Sequence, residues 1–336
     1  MMSNTLSSAH RAPVAGIYVA AATAMVSGVS IFVNSYGVKS VSSPTVYTTA
    51  KNIVATAILM VTWWLGARVR RRRDVSPAVQ DLAGRSPLAS RSTSIVRRMR
   101  RWLALAYVGV VGGGLAFVLF FNGLARSQPA VSAFWRDTLL PWVALFAVVF
   151  LKERIRWWNF LAIALLVGGE IVVTGGVGHL GAQPGELDVL ASSGLWAIEV
   201  VVAKSLLQDM TPTSVSTVRM GVGAMTLLTY VGLSGHSSAL FALGAHQLMW
   251  VGVAGALLAL YVATWMTALS RTRAVDVTSV LVASALVTWI LQALAGTAPV
   301  TPSTLGLIFI AVGVLLVLAA NSTKGSRRRI ERDLSS

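Results

Sequence analysis

Six charged residues stand inside long apolar stretches of this 336-residue chain: Lys51, Arg136, Asp137, Glu170, Glu199 and Arg219. Three are cations and three are anions, so the set is formally neutral. A charge at the centre of a bilayer costs on the order of 2.5–3.5 kcal/mol on an insertion scale, which argues against a lipid-facing position for any of them. Two kinds of chemistry suit such residues. A buried acid takes up and releases a proton in step with a change of shape, because low dielectric favours the neutral carboxyl. A cation–anion pair opens to clamp an anionic or zwitterionic solute. The plainer alternative is a set of permanent ion pairs that fix helix packing.

Nothing in the sequence points to an enzyme, and no cofactor or metal is expected. There is no phosphate-cradling glycine loop before a Lys-Ser/Thr and no metal-ligand spacing. Cysteine is absent, and His10, His179, His236 and His246 all fall in the tail or in loops. Gly112-Gly113-Gly114 lies inside an apolar run beside the small-residue spacing Gly109-xxx-Gly113, a pattern of close helix packing.

The elements that hold these charges are membrane spans. Hydrophobic residues make up 55% of the chain and charged residues 12%, with a mean hydropathy of +0.71. A soluble domain carries about 25% charged residues, so the composition is that of an all-α integral membrane protein. Apolar runs fall near 14–34, 45–66, 102–124, 129–150, 157–175, 187–207, 213–233, 247–269, 274–295 and 303–320, which predicts ten transmembrane helices. The first is longer than a signal-peptide core, lacks a clear cleavage site and reads as a retained span.

The net charge of +16 needs no nucleic acid, because the basic residues cluster between apolar runs as the positive-inside rule requires. Placing the loop 67–101, with its eleven arginines, in the cytoplasm fixes the other loops by alternation. Lys152, Arg154, Arg156, Lys204, Arg271, Arg273 and the basic C-terminal tail then all lie inside. A multi-pass protein of the cell (inner) membrane with both termini cytoplasmic follows. The loop 68–101 suits anionic lipid headgroups. A membrane scaffold acting through that loop is one functional class; tryptic removal of the loop tests it, since a scaffold would lose its only activity.

Depth along the helices, at ~1.5 Å per residue, sorts the six charges. Lys51, Arg136, Asp137 and Glu170 lie roughly 8–12 Å from the outer face, and Glu199 and Arg219 roughly 9–12 Å from the inner face. Adjacent helical residues point about 100° apart, so Arg136 and Asp137 are expected to have separate partners. Depth matching predicts Lys51 for Asp137, Glu170 for Arg136 and Arg219 for Glu199. Phe117, Phe120, Phe121, Phe134, Trp135, Tyr261 and Trp265 punctuate the same runs, and Tyr261 and Trp265 share a helix face. Trp102, Trp157, Trp158 and Trp250 fall at predicted helix ends, where an interfacial belt accounts for them. Asp276 is expected to pair locally with Arg273 at i, i+3.

The chain also repeats itself. Ser43-Pro44-Thr45 opens the second run with Lys51 seven residues past the proline, and Thr211-Pro212-Thr213 opens the seventh with Arg219 at the same offset. GLARSQPAVS, before the fourth run, is similar to ALSRTRAVDV, before the ninth. The copies lie five spans apart, and five is odd, so the second half inserts upside down; inverted repeats of this kind mark transporters.

The run PWVALFAVVFLKERIRWWNFLAIALLVGGEIVVTGG, with Pro141 twelve residues before Glu153, resembles the EamA repeat of the drug/metabolite transporter superfamily. The second copy departs from it, with Leu286 and Ala298 at the corresponding positions. The resemblance implies two five-helix repeats, 14–176 and 186–320, between cytoplasmic tails 1–13 and 321–336. It also implies a secondary transporter that exports a small organic metabolite, amino acid or drug, with a cavity lined by helices 1, 3, 4, 6, 8 and 9. Helix 5, which carries Glu170, would be peripheral. Lys51, Arg136, Asp137, Glu199, Arg219, Trp135, Tyr261 and Trp265 are then the candidates for solute binding and coupling. Glu199 is the foremost acid for protons. Facilitated diffusion remains an alternative to proton antiport, as does anion or organic-phosphate exchange through Lys51, Arg136 and Arg219.

Overall fold

A chain this apolar can satisfy its backbone in lipid only by closing hydrogen bonds within each segment, and helices do so. The computed structural model describes residues 3–41, 43–73, 91–126, 135–153, 155, 157–173, 184–296 and 304–333, and every regular element among them is helical. Helix α1 (Ser3–Gly37) ends in a 3-10 turn at Val38–Ser40, and α2 is Pro44–Arg73. Helix α3 (Arg91–Ala106) runs through a π-helical stretch, Tyr107–Leu115, into α4 (Ala116–Arg126). After one turn at 135–137 come α5 (Leu139–Leu151), α6 (Trp157–Val173), α7 (Pro184–Leu206) and α8 (Pro212–Leu233). A short α9 (Ser237–Phe241) precedes α10 (Ala245–Arg271), α11 (Ala274–Leu281), α12 (Ala283–Leu294) and α13 (Thr304–Asp333).

Among the described residues, six helical stretches are long and apolar enough to cross a membrane: Gly16–Ser40, Pro44–Val69, Arg97–Gly123, Pro184–Leu206, Ala245–Arg271 and Ala274–Leu294. Trp157–Gly169 and Leu305–Ala319 are shorter apolar helices. Helix α8 has the length, but Thr213, Ser214, Ser216, Thr217 and Arg219 dilute its first half. Helix α1 already starts at Ser3 and α13 runs on to Asp333, so the flanking segments beyond the first and last apolar runs continue as helix. The ninth apolar run is also not one helix but breaks at Val282.

The two proline signatures do what their chemistry suggests. Ser43 and Thr211 stand just outside α2 and α8, their carbonyls accepting the first helical bonds from Tyr47 and Val215, both at 3.1 Å. Proline follows in each case, at a position whose missing N–H costs nothing. Thr211 also caps α8 by accepting from the Ser214 N–H at 3.3 Å.

Helix α1 packs on α10 and α12, α4 on α7, α2 on both α8 and α10, α8 on the π-helical stretch, and α6 on α13. Leu59, Val108, Val143, Ala197, Met220, Val262 and Met266 form the shared core between them. The outward faces are apolar too: Met60, Trp63, Phe150, Phe160 and Leu315 are exposed. In a soluble protein such a surface would aggregate; facing acyl chains it is the expected exterior of a multi-pass membrane protein.

Candidate functional site

The Glu199–Arg219 pair forms as depth matching expects, between α7 and α8. Glu199 is 4% exposed and Arg219 8%. Arg219 Nε donates to Glu199 Oε1, and Nη2 donates to Oε2 at 3.1 Å, so the fork of the guanidinium meets both carboxylate oxygens. The neighbouring glycines make room for it. A Cβ on Gly112 would strike the Glu199 carboxylate, and one on Gly113 would meet the Arg219 carbonyl and Gly223. Both glycines sit in the π-helical stretch, where Trp196 Nε1 also donates to the Gly112 carbonyl at 3.0 Å. Close packing explains the glycine triplet, and the seat it gives Glu199 is the detail that spacing alone did not reveal. Isolated π segments of this kind recur at functional sites.

Aromatic rings surround the pair. The Arg219 guanidinium lies 5.8 Å from the Phe117 ring centre, and Phe117 stacks on Phe121 and meets Trp196 edge-on. The Tyr261 ring stacks on Trp265 at 6.3 Å, and its hydroxyl is within electrostatic reach of Arg219, Arg136 and Glu199. Trp265 is buried in the core, and Tyr261 packs half-buried against it. Phe134 lies outside the described residues.

Arg136 and Asp137 overturn the expectation of separate partners. Arg136 donates from Nε and Nη2 to Asp137 Oδ1, at 2.9 and 2.7 Å. The 100° argument assumes an uninterrupted helix. Here Arg136 and Asp137 sit together in the single turn 135–137 that ends at Thr138, and the three-methylene arginine stem folds back onto its neighbour. The two side chains are 29% and 15% exposed, against 10% and 5% for Arg219 and Glu199, so this pair is the more open one. Helix α7 holds the turn in place: Ser193 Oγ lies 3.0 Å from the Trp135 carbonyl, and Trp135 Nε1 donates to buried Glu186 at 3.1 Å. Glu186 escaped sequence reasoning because it sits at the predicted edge of its span.

With Asp137 occupied, Lys51 is not its partner. Lys51 Nζ donates instead to the Asn34 side-chain oxygen at 2.8 Å. It also sits 5.3 Å from the Tyr47 ring centre and 5.5 Å from that of Phe121. No described carboxylate is ion-paired to it. The Glu170 side chain, the expected partner of Arg136, lies outside the described residues, while its helix α6 packs on α13.

A second polar network ties the opposite end of the bundle. Lys204 Nζ donates to the carbonyls of Leu269 and Thr272 at 2.5 and 2.6 Å, capping the end of α10. Glu153 Oε1 accepts from the Ala274 N–H at 2.9 Å, capping the start of α11. Arg273 and Asp276 form the expected local pair at 2.7 Å, which Asn159 of α6 joins at 3.2 Å. Lys204 and Asn159 carried no functional signal in the sequence, and Glu153 stood out only as part of the EamA-like signature.

No curated protein matches the chain. A solved crystal structure, described only as that of a protein, shares 14% identity with it. That structure superimposes with a TM-score of 0.66 over 92% of this chain and 99% of its own, which shows a common fold. The family model described as the EamA-like transporter family matches residues 82–175 and again 183–319. Two consecutive matches, together covering more than half of the sequence, mean that the chain belongs to the EamA-like transporter family, membrane transporters of the drug/metabolite superfamily.

Proposed function

We propose that the protein is a ten-span secondary transporter, an inverted five-plus-five repeat that exports a small organic solute by alternating access with proton coupling at Glu199. The observation that carries this reading is the buried Glu199–Arg219 pair, set among aromatic rings within electrostatic reach of Tyr261.

The packing supports the repeat. The ten spans are α1, α2, α3–α4, α5, α6, α7, α8, α10, α11–α12 and α13. The contact of α1 with α10 has its counterpart, five spans on, in α7 with α4. The contact of α5 with α7 is answered by α12 with α1, and that of α8 with the π-helical stretch by α2 with α10. The α2–α8 and α6–α13 contacts map onto themselves. Such a twofold pattern is what two inverted copies produce.

The mechanism follows from the cost of separating the pair. An unpaired carboxylate in a low dielectric costs several kcal/mol, so parting Glu199 from Arg219 draws a proton onto the acid. A solute group that donates hydrogen bonds to the Glu199 carboxylate takes that proton's place and releases it, and a proton drawn from the other side resets the acid after the solute leaves, so the two move in opposite directions. The network of Lys204, Glu153 and Ala274 closes the end that the basic loops assign to the cytoplasm. Its bonds must break for that side to open. Anion exchange through Lys51, Arg136 and Arg219 is the second reading. It draws support from Lys51 alone, since the two arginines already hold carboxylates.

The natural chain has no cysteine, so Phe120→Cys, beside Trp196, gives a single reporter thiol. A membrane-impermeant maleimide should label it from either face of sealed vesicles, one face at a time as conditions shift. Labelling from one face under every condition would contradict alternating access.

A further inference from the structure

Lys51 is a buried cation, 6% exposed, whose one hydrogen-bond partner among the described residues is a neutral amide. Its ammonium carries three donors, and two aromatic rings cannot replace an anion at membrane depth. The same turn of α2 carries further unused polar capacity. Thr48 and Asn52 are 1% and 0% exposed, yet Thr48 Oγ1 and Asn52 Oδ1 have no hydrogen-bond partner. Thr49 and Thr56, on the same helix, return their hydroxyls to the carbonyls four residues back, so the idle Thr48 hydroxyl is not a general habit of this helix. At helical spacing Thr48, Lys51 and Asn52 share one face. Two such atoms on one helix face with a buried cation between them, and the Tyr47 hydroxyl next to them also without a partner, mark a place where something else binds.

The second half of the chain shows what is missing. Lys51 lies seven residues after Pro44 as Arg219 lies seven after Pro212. Arg219 takes its partner, Glu199, from the helix before it; Lys51 likewise takes Asn34 from the helix before it. The two arrangements correspond, except that one partner is a carboxylate and the other an amide.

We propose that the α2 face of Thr48, Lys51 and Asn52 is the head-group site for the transported solute, and that this solute carries a carboxylate. The carboxylate occupies the place that Glu199 fills in the other half and neutralises Lys51. The Thr48 hydroxyl and the Asn52 oxygen take hydrogen bonds from a hydroxyl or amino group beside it. A monoanion balances one lysine, whereas a phosphate dianion would leave surplus charge in the membrane, so carboxylates are selected. This assignment rests on the transporter reading and names its substrate class.

Thermal unfolding of the detergent-solubilised full chain tests it, with lactate, benzoate and 3-phenylpropionate as probes beside their primary amides and inorganic phosphate. At least one carboxylate should raise the melting temperature while its amide and phosphate do not. Lys51→Met should abolish the shift and Lys51→Arg should restore it. Asn34→Asp places a carboxylate 2.8 Å from the ammonium, where the amide oxygen now sits, and should weaken the carboxylate at least tenfold. Because it changes only the amide nitrogen, it carries the test if Lys51→Met does not fold. Equal stabilisation by acid and amide, no shift with any of the three acids, or undiminished affinity in Asn34→Asp would each overturn the assignment. Those results would leave the two-sided labelling of Phe120→Cys untouched, and one-sided labelling would instead sink the transporter reading itself.

Discussion

Removing the guanidinium of Arg219 should damage the protein far more than removing both charges of its pair. Arg219→Met deletes the Nε and Nη2 donors and leaves Glu199, 4% exposed, as a carboxylate against the Gly112 backbone. Tyr107, whose hydroxyl donates to the Leu195 carbonyl at 3.2 Å, is already engaged and cannot take over. Breaking a buried pair from one side costs about 3–5 kcal/mol. Combining Arg219→Met with Glu199→Gln removes the stranded charge, and the residual loss is that of ordinary hydrogen bonds, about 1 kcal/mol each. At roughly 2 °C per kcal/mol for a chain of this size, the single change should lower the melting temperature by about 6–10 °C and the double change by less than about half of that. Tryptophan fluorescence during heating in detergent reads this directly, since the chain has 11 tryptophans. A double variant as unstable as Arg219→Met, or a single variant within about 1 kcal/mol of wild type, would refute the claim that the pair is desolvated and mutually dependent.

Three further outcomes are expected. Gly113→Ala should cost about 1–3 kcal/mol, because its Cβ would press on the Arg219 carbonyl and Gly223, which are backbone; Gly221→Ala, whose nearest neighbour lies 3.5 Å away, should be neutral or slightly stabilising. Equal melting temperatures for the two alanine variants would show that the helices are free to separate there. Glu153→Ala should lose about 0.5–2 kcal/mol by uncapping α11, and Glu153→Gln should keep most of it, as compared by denaturant titration. Reporter fusions after Ser336 and within 68–101 should report cytoplasm and one near His236 the outside; a cytoplasmic His236 would break the ten-span count.

Much of this site was visible in the sequence because charge in an apolar run is a loud signal. Lys51, Arg136, Asp137, Glu199 and Arg219 were all found that way, and depth matching paired Glu199 with Arg219. It failed for Asp137, which bonds its neighbour Arg136 in a single turn that ends at Thr138; Pro141, which lacks the N–H that would bond to the Asp137 carbonyl, marked that interruption in the sequence. Asn34, Thr48 and Asn52 stayed hidden for another reason. Neutral polar residues scarcely alter hydropathy, and Thr48 and Asn52 matter only through partners they lack. The π-helical stretch was equally silent, since three adjacent glycines announce close packing but not a change of helical register. Lys204 read as one more positive charge in a basic loop, whereas its role depends on the end of α10 lying beside it.

The central claim is that Glu199 couples solute movement to protons, and flux under an imposed pH gradient tests it most directly. Purified protein in proteoliposomes would carry a solute first identified by thermal stabilisation across carboxylate, amino-acid, drug and sugar-phosphate panels. Wild type should accumulate the solute against its gradient when the pH difference is applied. Glu199→Gln should lose that accumulation yet still exchange labelled for unlabelled solute, because binding and the change of access persist without a titrating acid. Unchanged pH-driven accumulation by Glu199→Gln would contradict the account, returning the pair to a structural role and moving the coupling to Asp137.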